Sequence, residues 1–316
     1  MLYDIFLIVI GFLLLVKGGD YLVDSAVAIA RRAKLSPMVI GLTVVGFGTS
    51  MPELLVSVQA ALVDSPGIAI GNVVGSNIAN IGLILGISAL LCPLPASRSS
   101  LLIEMPFMVL ACILFVGIGM TGTIGRVPGI MLFAVLVAFV SWQIRRSRKA
   151  EKAAGASAES LDGVMPLWKS LPLLAVSFGA LVWGADLLVD GASDIALQLG
   201  VSDRVIGLTI VAVGTSLPEL FASVMAARKG QTDIAIGNII GSVSFNVLSV
   251  IGVSAAICPI RNTSEGFALD YLLMIAICLL LWFFMRTKHL LERWEGGILL
   301  SVYVAYIAWT VVGIGL

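Results

Sequence analysis

Residues 41–54, GLTVVGFGTSMPEL, return at 207–220 as GLTIVAVGTSLPEL, identical at ten of fourteen positions. Residues 68–76, IAIGNVVGS, return at 234–242 as IAIGNIIGS, identical at seven of nine. The offset is 166 both times, and it also carries Asp20 onto Asp186, Asp24 onto Asp190, Asn80 onto Asn246, Cys92-Pro93 onto Cys258-Pro259 and Cys112 onto Cys278. No gap is needed across the half, so the chain reads as two copies of one unit.

What each unit contains follows from its apolar runs. A helix crossing a bilayer needs about 20 mostly apolar residues. Such runs lie at 3–22, 37–62, 67–91, 101–121, 126–145, 168–189, 204–227, 233–257, 267–286 and 296–315, five in each half. Hydrophobic residues make up 59% of the chain and charged ones 12%, with a mean hydropathy of +1.08. Soluble domains carry about 25% charge, so the composition agrees with an all-α polytopic membrane protein of ten transmembrane helices. Five spans is an odd number, and the second copy must therefore enter the membrane in the opposite sense to the first. Inverted repeats of this kind place a substrate site near the bilayer midplane between the halves. The expected organisation is a five-helix repeat over 1–145, a cytoplasmic linker over 146–167 and a second five-helix repeat over 168–316.

The basic residues orient the spans. Alternate loops on one side hold sixteen Lys and Arg and those on the other only Arg126, Arg204 and Arg261. Basic loops stay in the cytoplasm, which puts both termini outside it. The first run begins Met-Leu-Tyr-Asp, with neither a basic leader nor a small-residue cleavage site, and reads as a retained span. Nineteen basic against nineteen acidic residues leave no net charge, which speaks against nucleic acid as a partner. One histidine, His289, excludes a multi-histidine metal site, and the matched cysteines read as core residues, not bridge partners.

Each half places one ionisable residue in mid-span, Glu53 and Glu219. A charge there costs about 3 kcal/mol or more and marks a functional site by default. No Lys or Arg lies near either glutamate in these spans to neutralise it; the one basic residue they include, Arg204, stands at the very start of the second, fifteen residues from Glu219. Around them the backbone is built to break. Pro52 and Pro218 remove a helical hydrogen bond, and Gly46, Gly48 and Gly214 weaken the turn before. The freed carbonyls near Thr49 and Thr215, beside two carboxylates, make an oxygen-only cage of the kind that selects hard cations; calcium takes six to eight oxygens at about 2.4 Å. The next span in each half aligns Asn72, Ser76 and Asn80, or Asn238, Ser242 and Asn246, on one face. Two ionised glutamates balance one divalent cation, or two or three monovalent ones with help from neutral oxygens.

The duplicated G-T-S-x-P-E at 48–53 and 214–219, each followed by G-N-x-x-G-S at 71–76 and 237–242, resembles the alpha repeats of the cation/calcium antiporter superfamily, prokaryotic sodium/calcium exchangers in particular. The resemblance covers essentially the whole chain. It implies sodium influx driving calcium extrusion by alternating access, commonly three sodium ions per calcium, in the plasma (inner) membrane of a prokaryote. It implies Glu53 and Glu219 as calcium ligands, together with the main-chain carbonyls of Thr49 and Thr215. Ser50, Ser76, Ser216 and Ser242, with the carbonyls of Gly46 and Ala212, would serve sodium, and Asn80 and Asn246 would complete the centre. The first and sixth spans, with Asp20 and Asp186, would slide across the core as the gate. Calcium and sodium are then cargo; no cofactor and no obligatory protein partner is expected. Potassium-dependent members carry Asp where this chain has Asn246, which argues for potassium independence. Proton-coupled calcium transporters show G-N-x-x-E around their glutamates, whereas here they sit in T-S-x-P-E, so antiport of calcium or another divalent cation against protons is the runner-up. Two readings from other classes are a passive cation channel and an intramembrane aspartyl protease, the latter on a faint Gly-x-Gly-Asp echo at Asp20 and Asp186.

Overall fold

The computed structural model describes residues 1–153, 163–200, 206, 210, 212–261, 263 and 266–315. Among the described residues the elements are all helices apart from four two-residue strands. A 32-residue helix, α1 (Leu2–Ala33), opens it. Arg31 and Arg32 occupy its last turn, where cations suit the helix dipole, and Lys34 closes it in the left-handed conformation at φ 53°. Ser36 then accepts from Val39 N and Pro37 starts α2 (Pro37–Thr49), the residue pair that favours a helix start. α2 is wound as a π-helix over Gly41–Val45 and breaks at Ser50. α3 (Met51–Leu62) leaves it at a bend of 46°. α4 (Pro66–Leu91), α5 (Ser100–Gly119) and α6 (Arg126–Ala153) complete the first half.

The second half repeats the order with α7 (Leu167–Gln198), the short α8 (Ala212–Gly214), α9 (Leu217–Arg228), α10 (Thr232–Ile257), α11 (Ala268–Lys288) and α12 (Arg293–Gly315). Eight helices are long and apolar enough to cross a membrane, and α2 with α3 makes a ninth, bent span among the described residues. The span expected at 204–227, the tenth in the count, falls partly outside them, including Arg204 and most of 207–211. α1 outruns the span expected at 3–22, which moves Asp20 from a span end to a helix interior. α6 likewise continues to Ala153, within the segment read as linker, and residues 154–162 of that segment lie outside the described residues.

α10 is buried over its whole apolar length and α4 over most of it, whereas α1, α6, α7 and α12 are mainly outward-facing. Phe6, Phe12, Trp183, Val137 and Val304 point away from the protein, as side chains bordering lipid do. α1 and α7 lie antiparallel against each other on this periphery. A Cβ on Gly11 would stand 2.6 Å from the Gly184 carbonyl oxygen, and one on Gly18 3.2 Å from that of Ser177. These two contacts are the same contact with the copies exchanged, since Ser177 matches Gly11 and Gly184 matches Gly18. The strands swap in the same way. β1 (Leu94–Pro95) pairs with β4 (Leu290–Leu291), and β2 (Thr123–Ile124) with β3 (Ile260–Arg261), both antiparallel. Leu94 faces Leu291 and Ile260 faces Ile124, which sets the offset of the partner strands at 167. The ungapped repeat thus needs one correction, an extra residue in the second half between Cys278 and Leu290.

Candidate cation site

The helix breaks and the two buried helices meet at the centre. Ser50 interrupts α2 and α3 at φ −84°, ψ 8°, and Ser216 does the same before α9 at φ −92°, ψ 2°. The proline two residues on cannot donate to the ladder, so each break falls one turn ahead of its glutamate. Glu53 and Glu219 occupy the first turns of α3 and α9, where a helix N-terminus favours an anion. Both are buried, Glu219 completely, and neither has an ion-pair partner among the described residues.

Each broken turn is held by the next buried helix in the same half. Asn72 Nδ2 donates to the Glu53 carbonyl at 3.0 Å and to Ser57 Oγ at 2.9 Å. Asn238 Nδ2 repeats this on the Glu219 carbonyl at 3.4 Å and Ser223 Oγ at 2.9 Å. The two halves are then stitched together. Ser50 Oγ donates to Glu219 Oε1 at 3.3 Å. Thr49 Oγ1 lies 3.2 Å from Asn238 Oδ1 and 3.4 Å from Ser242 Oγ, and Ser242 Oγ reaches the Gly46 carbonyl at 3.5 Å. Asn246 Nδ2 donates to Ser76 Oγ at 3.1 Å and to Asn77 Oδ1 at 3.0 Å.

After these bonds, five buried oxygens of the cluster have no hydrogen-bond partner among the described residues: Glu53 Oε2, Glu219 Oε2, Asn80 Oδ1, Asn246 Oδ1 and Ser216 Oγ. Orphaned buried acceptors are costly. Two carboxylate and two amide oxygens with no donor facing them are chemically suited to a hard cation. Of the twelve residues singled out from sequence, Gly46, Thr49, Ser50, Glu53, Ser76, Asn80, Ser216, Glu219, Ser242 and Asn246 are buried in this central region. Thr215 sits half-buried at the turn before α9, and the Ala212 backbone begins α8. Sequence reasoning did not find Asn77, Ser57 or Ser223. Asn77 has Val243 as its counterpart, so the repeat gave no signal for it, whereas Ser57 and Ser223 are themselves a matched pair at the 166 offset. It also did not find the π-helical stretches at Asn80–Leu85 and Asn246–Val250, each of which begins at a site asparagine. Such stretches recur at functional sites.

Access is unequal. A cavity of about 300 Å³ is lined by Pro52, Ala185, Asp186, Asp190, Gly214 and Thr215, and so runs from the α7 acids to the two helix breaks. Asp20 lies towards the opposite end of the antiparallel α1–α7 pair, bound to Lys229. Asp20 and Asp186 therefore do not share a site, as a protease pair must.

Comparison with known proteins places this architecture. The family described as "Sodium/calcium exchanger protein" matches residues 3–145 and 169–312. The chain is 36% identical over 312 residues to the putative antiporter CaxA of Alkalimonas amylolytica, covering 97% of this chain and 98% of that one. It is 34% identical over 337 residues to the sodium/calcium exchanger MaX1 of Methanosarcina acetivorans, covering 95% and 96%. The solved structure of the sodium–calcium exchanger NCX_Mj soaked with 10 mM Na+ and zero Ca2+ superposes with a TM-score of 0.82 at 32% identity, over 97% and 98% of the two chains.

Proposed function

The chain belongs to the sodium/calcium exchanger protein family, a family of membrane antiporters and not of enzymes, and from that premise we propose that it exchanges sodium for calcium by alternating access. The observation that carries this reading is the set of oxygens on Glu53, Glu219, Asn80 and Asn246 that have no partner among the described residues. Calcium would be held by the carboxylates of Glu53 and Glu219 with the carbonyls of Thr49 and Thr215. Sodium would use Ser50, Ser76, Ser216 and Ser242 with the carbonyls of Gly46 and Ala212. Both ion sets draw on the same two negative charges, so they exclude each other, which is the condition for exchange. Three sodium ions against one calcium would move one net charge, making transport electrogenic. Asparagine at both 80 and 246 supplies no third carboxylate for a potassium ion.

Ten spans in two inverted five-helix repeats, 1–145 and 168–316, joined by a cytoplasmic linker, are the architecture this reading requires. The swapped contacts of α1 with α7 and of the four strands support it. The face bearing Arg31, Arg32 and the basic end of α6 is the cytoplasmic one, which puts both termini outside, in the plasma membrane of a prokaryotic cell. The calcium/proton alternative uses the same carboxylates and differs only in the driving ion.

The test is radioactive calcium uptake into proteoliposomes loaded with sodium and diluted into sodium-free medium. Uptake that requires the sodium gradient and disappears in Glu53→Gln is expected. Uptake driven instead by a proton gradient would place the protein with the proton-coupled exchangers, and uptake without any opposing gradient would make it a channel. A potassium-valinomycin clamp that alters the sodium-driven rate would verify the charge movement.

A further inference from the structure

Each peripheral helix carries the same acid pair, Asp20 and Asp24 on α1 and Asp186 and Asp190 on α7, but the two pairs are in different states. Asp186 and Asp190 line the cavity that ends at Pro52, Gly214 and Thr215. At the other end, Lys229, which caps α9, has its Nζ 2.7 Å from Asp20 Oδ1 and 2.6 Å from Asp24 Oδ1, and donates to the Asp20 carbonyl at 2.8 Å. One ammonium thus satisfies three oxygens of α1, a geometry that uses all three of its donors. The cavity on this side, about 630 Å³, is lined by Val23, Asp24, Val27, Arg31, Lys229 and Gln231 among others. It reaches none of Gly48, Thr49 and Pro218, the counterparts of the residues that the other cavity touches. The asymmetry is written in the sequence: Lys229 matches Val63, so α3 has no ammonium to offer Asp186 and Asp190.

Lys229 also stands at the far end of the helix whose first turn holds Glu219, roughly 15 Å away at 1.5 Å per residue. Between them, α1 lies directly on α9. A Cβ on Gly19 would stand 2.9 Å from the Phe221 carbonyl oxygen and 3.0 Å from Met225 Cγ. We propose that Lys229 is a latch that holds α1 against α9 and keeps the basic-face entrance shut in this conformation, and that transport requires its release. The proposal rests on the alternating-access reading above and adds to it a residue that makes the two entrances unequal. Displacing α1 by a single turn, about 5.4 Å, breaks all three contacts and would bring Leu15 or Val23 to the place of Gly19, where not even a Cβ fits beside Met225; α1 therefore has to lift from α9, which uncovers Met225.

The experiment reports that uncovering directly. Met225→Cys is placed in a background of Cys92→Ser and Cys258→Ser; the remaining cysteines, Cys112 and Cys278, are buried. Vesicles exposing the basic face are treated with a membrane-impermeant cationic methanethiosulfonate reagent, and the labelling rate is measured. Lys229→Met is expected to speed labelling at least fivefold, Asp20→Asn with Asp24→Asn to do the same, and Lys229→Arg to stay within twofold of the parent. A labelling rate unchanged by Lys229→Met, or a rate equally raised by Lys229→Arg, overturns the latch. If Lys229→Met does not fold, the double aspartate variant decides alone by the same criterion. Labelling needs no ion gradient, so a parent protein that behaves as expected here but exchanges no calcium for sodium overturns the proposed function and leaves the latch standing.

Discussion

Ser50 Oγ donates to Glu219 Oε1 across 3.3 Å, which ties the helix break of one half to the carboxylate of the other. The remaining oxygen of that carboxylate, Oε2, has no partner among the described residues, so the bond orients Glu219 while leaving it a ligand. Ser50→Ala removes a hydrogen bond to a charged acceptor at the long end of the range, worth about 1 kcal/mol. The expected result is a roughly fivefold rise in the half-saturating cation concentration, with folding intact. Transport kinetics in proteoliposomes decide it, and an unchanged half-saturation would detach Ser50 from the site.

Glu53→Gln and Glu219→Gln each leave one negative charge against a divalent ion in a buried site where the described residues offer no ion-pair partner. Neither variant should take up calcium. Ligand binding also stabilises the folded state, by about 2.7 kcal/mol at a hundred times the dissociation constant. Calcium should therefore raise the melting temperature of the parent and not of either variant. A glutamine variant that keeps the full calcium-dependent rise would contradict the assignment of both carboxylates.

Protons compete with cations for the same oxygens, and a protonated carboxyl offers no charge to calcium. Proton binding thus favours the empty site, and raising the pH strengthens cation binding. Between pH 8 and pH 5 the half-saturating calcium concentration should climb, with the maximal rate recovered when calcium is raised. A flat profile across that interval would show that Glu53 and Glu219 do not bind the transported ion.

The repeat made both glutamates, both breaks and the asparagine faces legible in the sequence, because a charge at membrane depth and a proline in a helix have few physical excuses. Other features were not legible. The bonds from Asn72 to Ser57 and from Asn238 to Ser223 depend on how neighbouring helices dock, which one helix's periodicity does not encode. Asn77 lies off the expected ligand face and is reached only because Asn246 of the other half arrives beside it. The length of α1 was hidden because its last turns, with Asp24, Arg31 and Arg32, are too polar for a span yet continue the helix as its basic cap. Cys112 and Cys278, matched in sequence, meet at 3.9 Å between sulfurs. Two copies of one position touch only where the axis relating the copies passes, so the repeat named the pair and packing alone gave it a place.

Asn246 donates to Ser76 Oγ and to Asn77 Oδ1. Asn246→Asp replaces a donor by a second acceptor facing Asn77 Oδ1 and brings the central charge to three carboxylates. An additional monovalent cation would restore both balances. The variant should therefore become stimulated by potassium, where the parent is indifferent to it. Calcium uptake with potassium or choline as the companion ion distinguishes the two, and potassium stimulation of the parent would refute the role given to paired asparagines.

The contact between α1 and α7 predicts a separation of rate from affinity. A Cβ on Gly11 would meet the Gly184 carbonyl oxygen at 2.6 Å and the Leu188 nitrogen at 2.8 Å, and one on Gly184 the Gly11 oxygen at 2.9 Å. Backbone atoms cannot rotate away as a side-chain tip does, so Gly11→Ala has to push the two helices apart. If the pair moves as one body across the core, loosening it should cut the maximal transport rate several-fold while calcium binding, read from thermal stabilisation, stays near the parent value. Gly179 on α7 has nothing within 4 Å of where a Cβ would be built. Gly179→Ala adds helix propensity, about 1 kcal/mol, without touching α1, so it should transport normally and melt higher. Equal losses of rate in both variants would show that the glycines matter for helix flexibility and not for the α1–α7 contact.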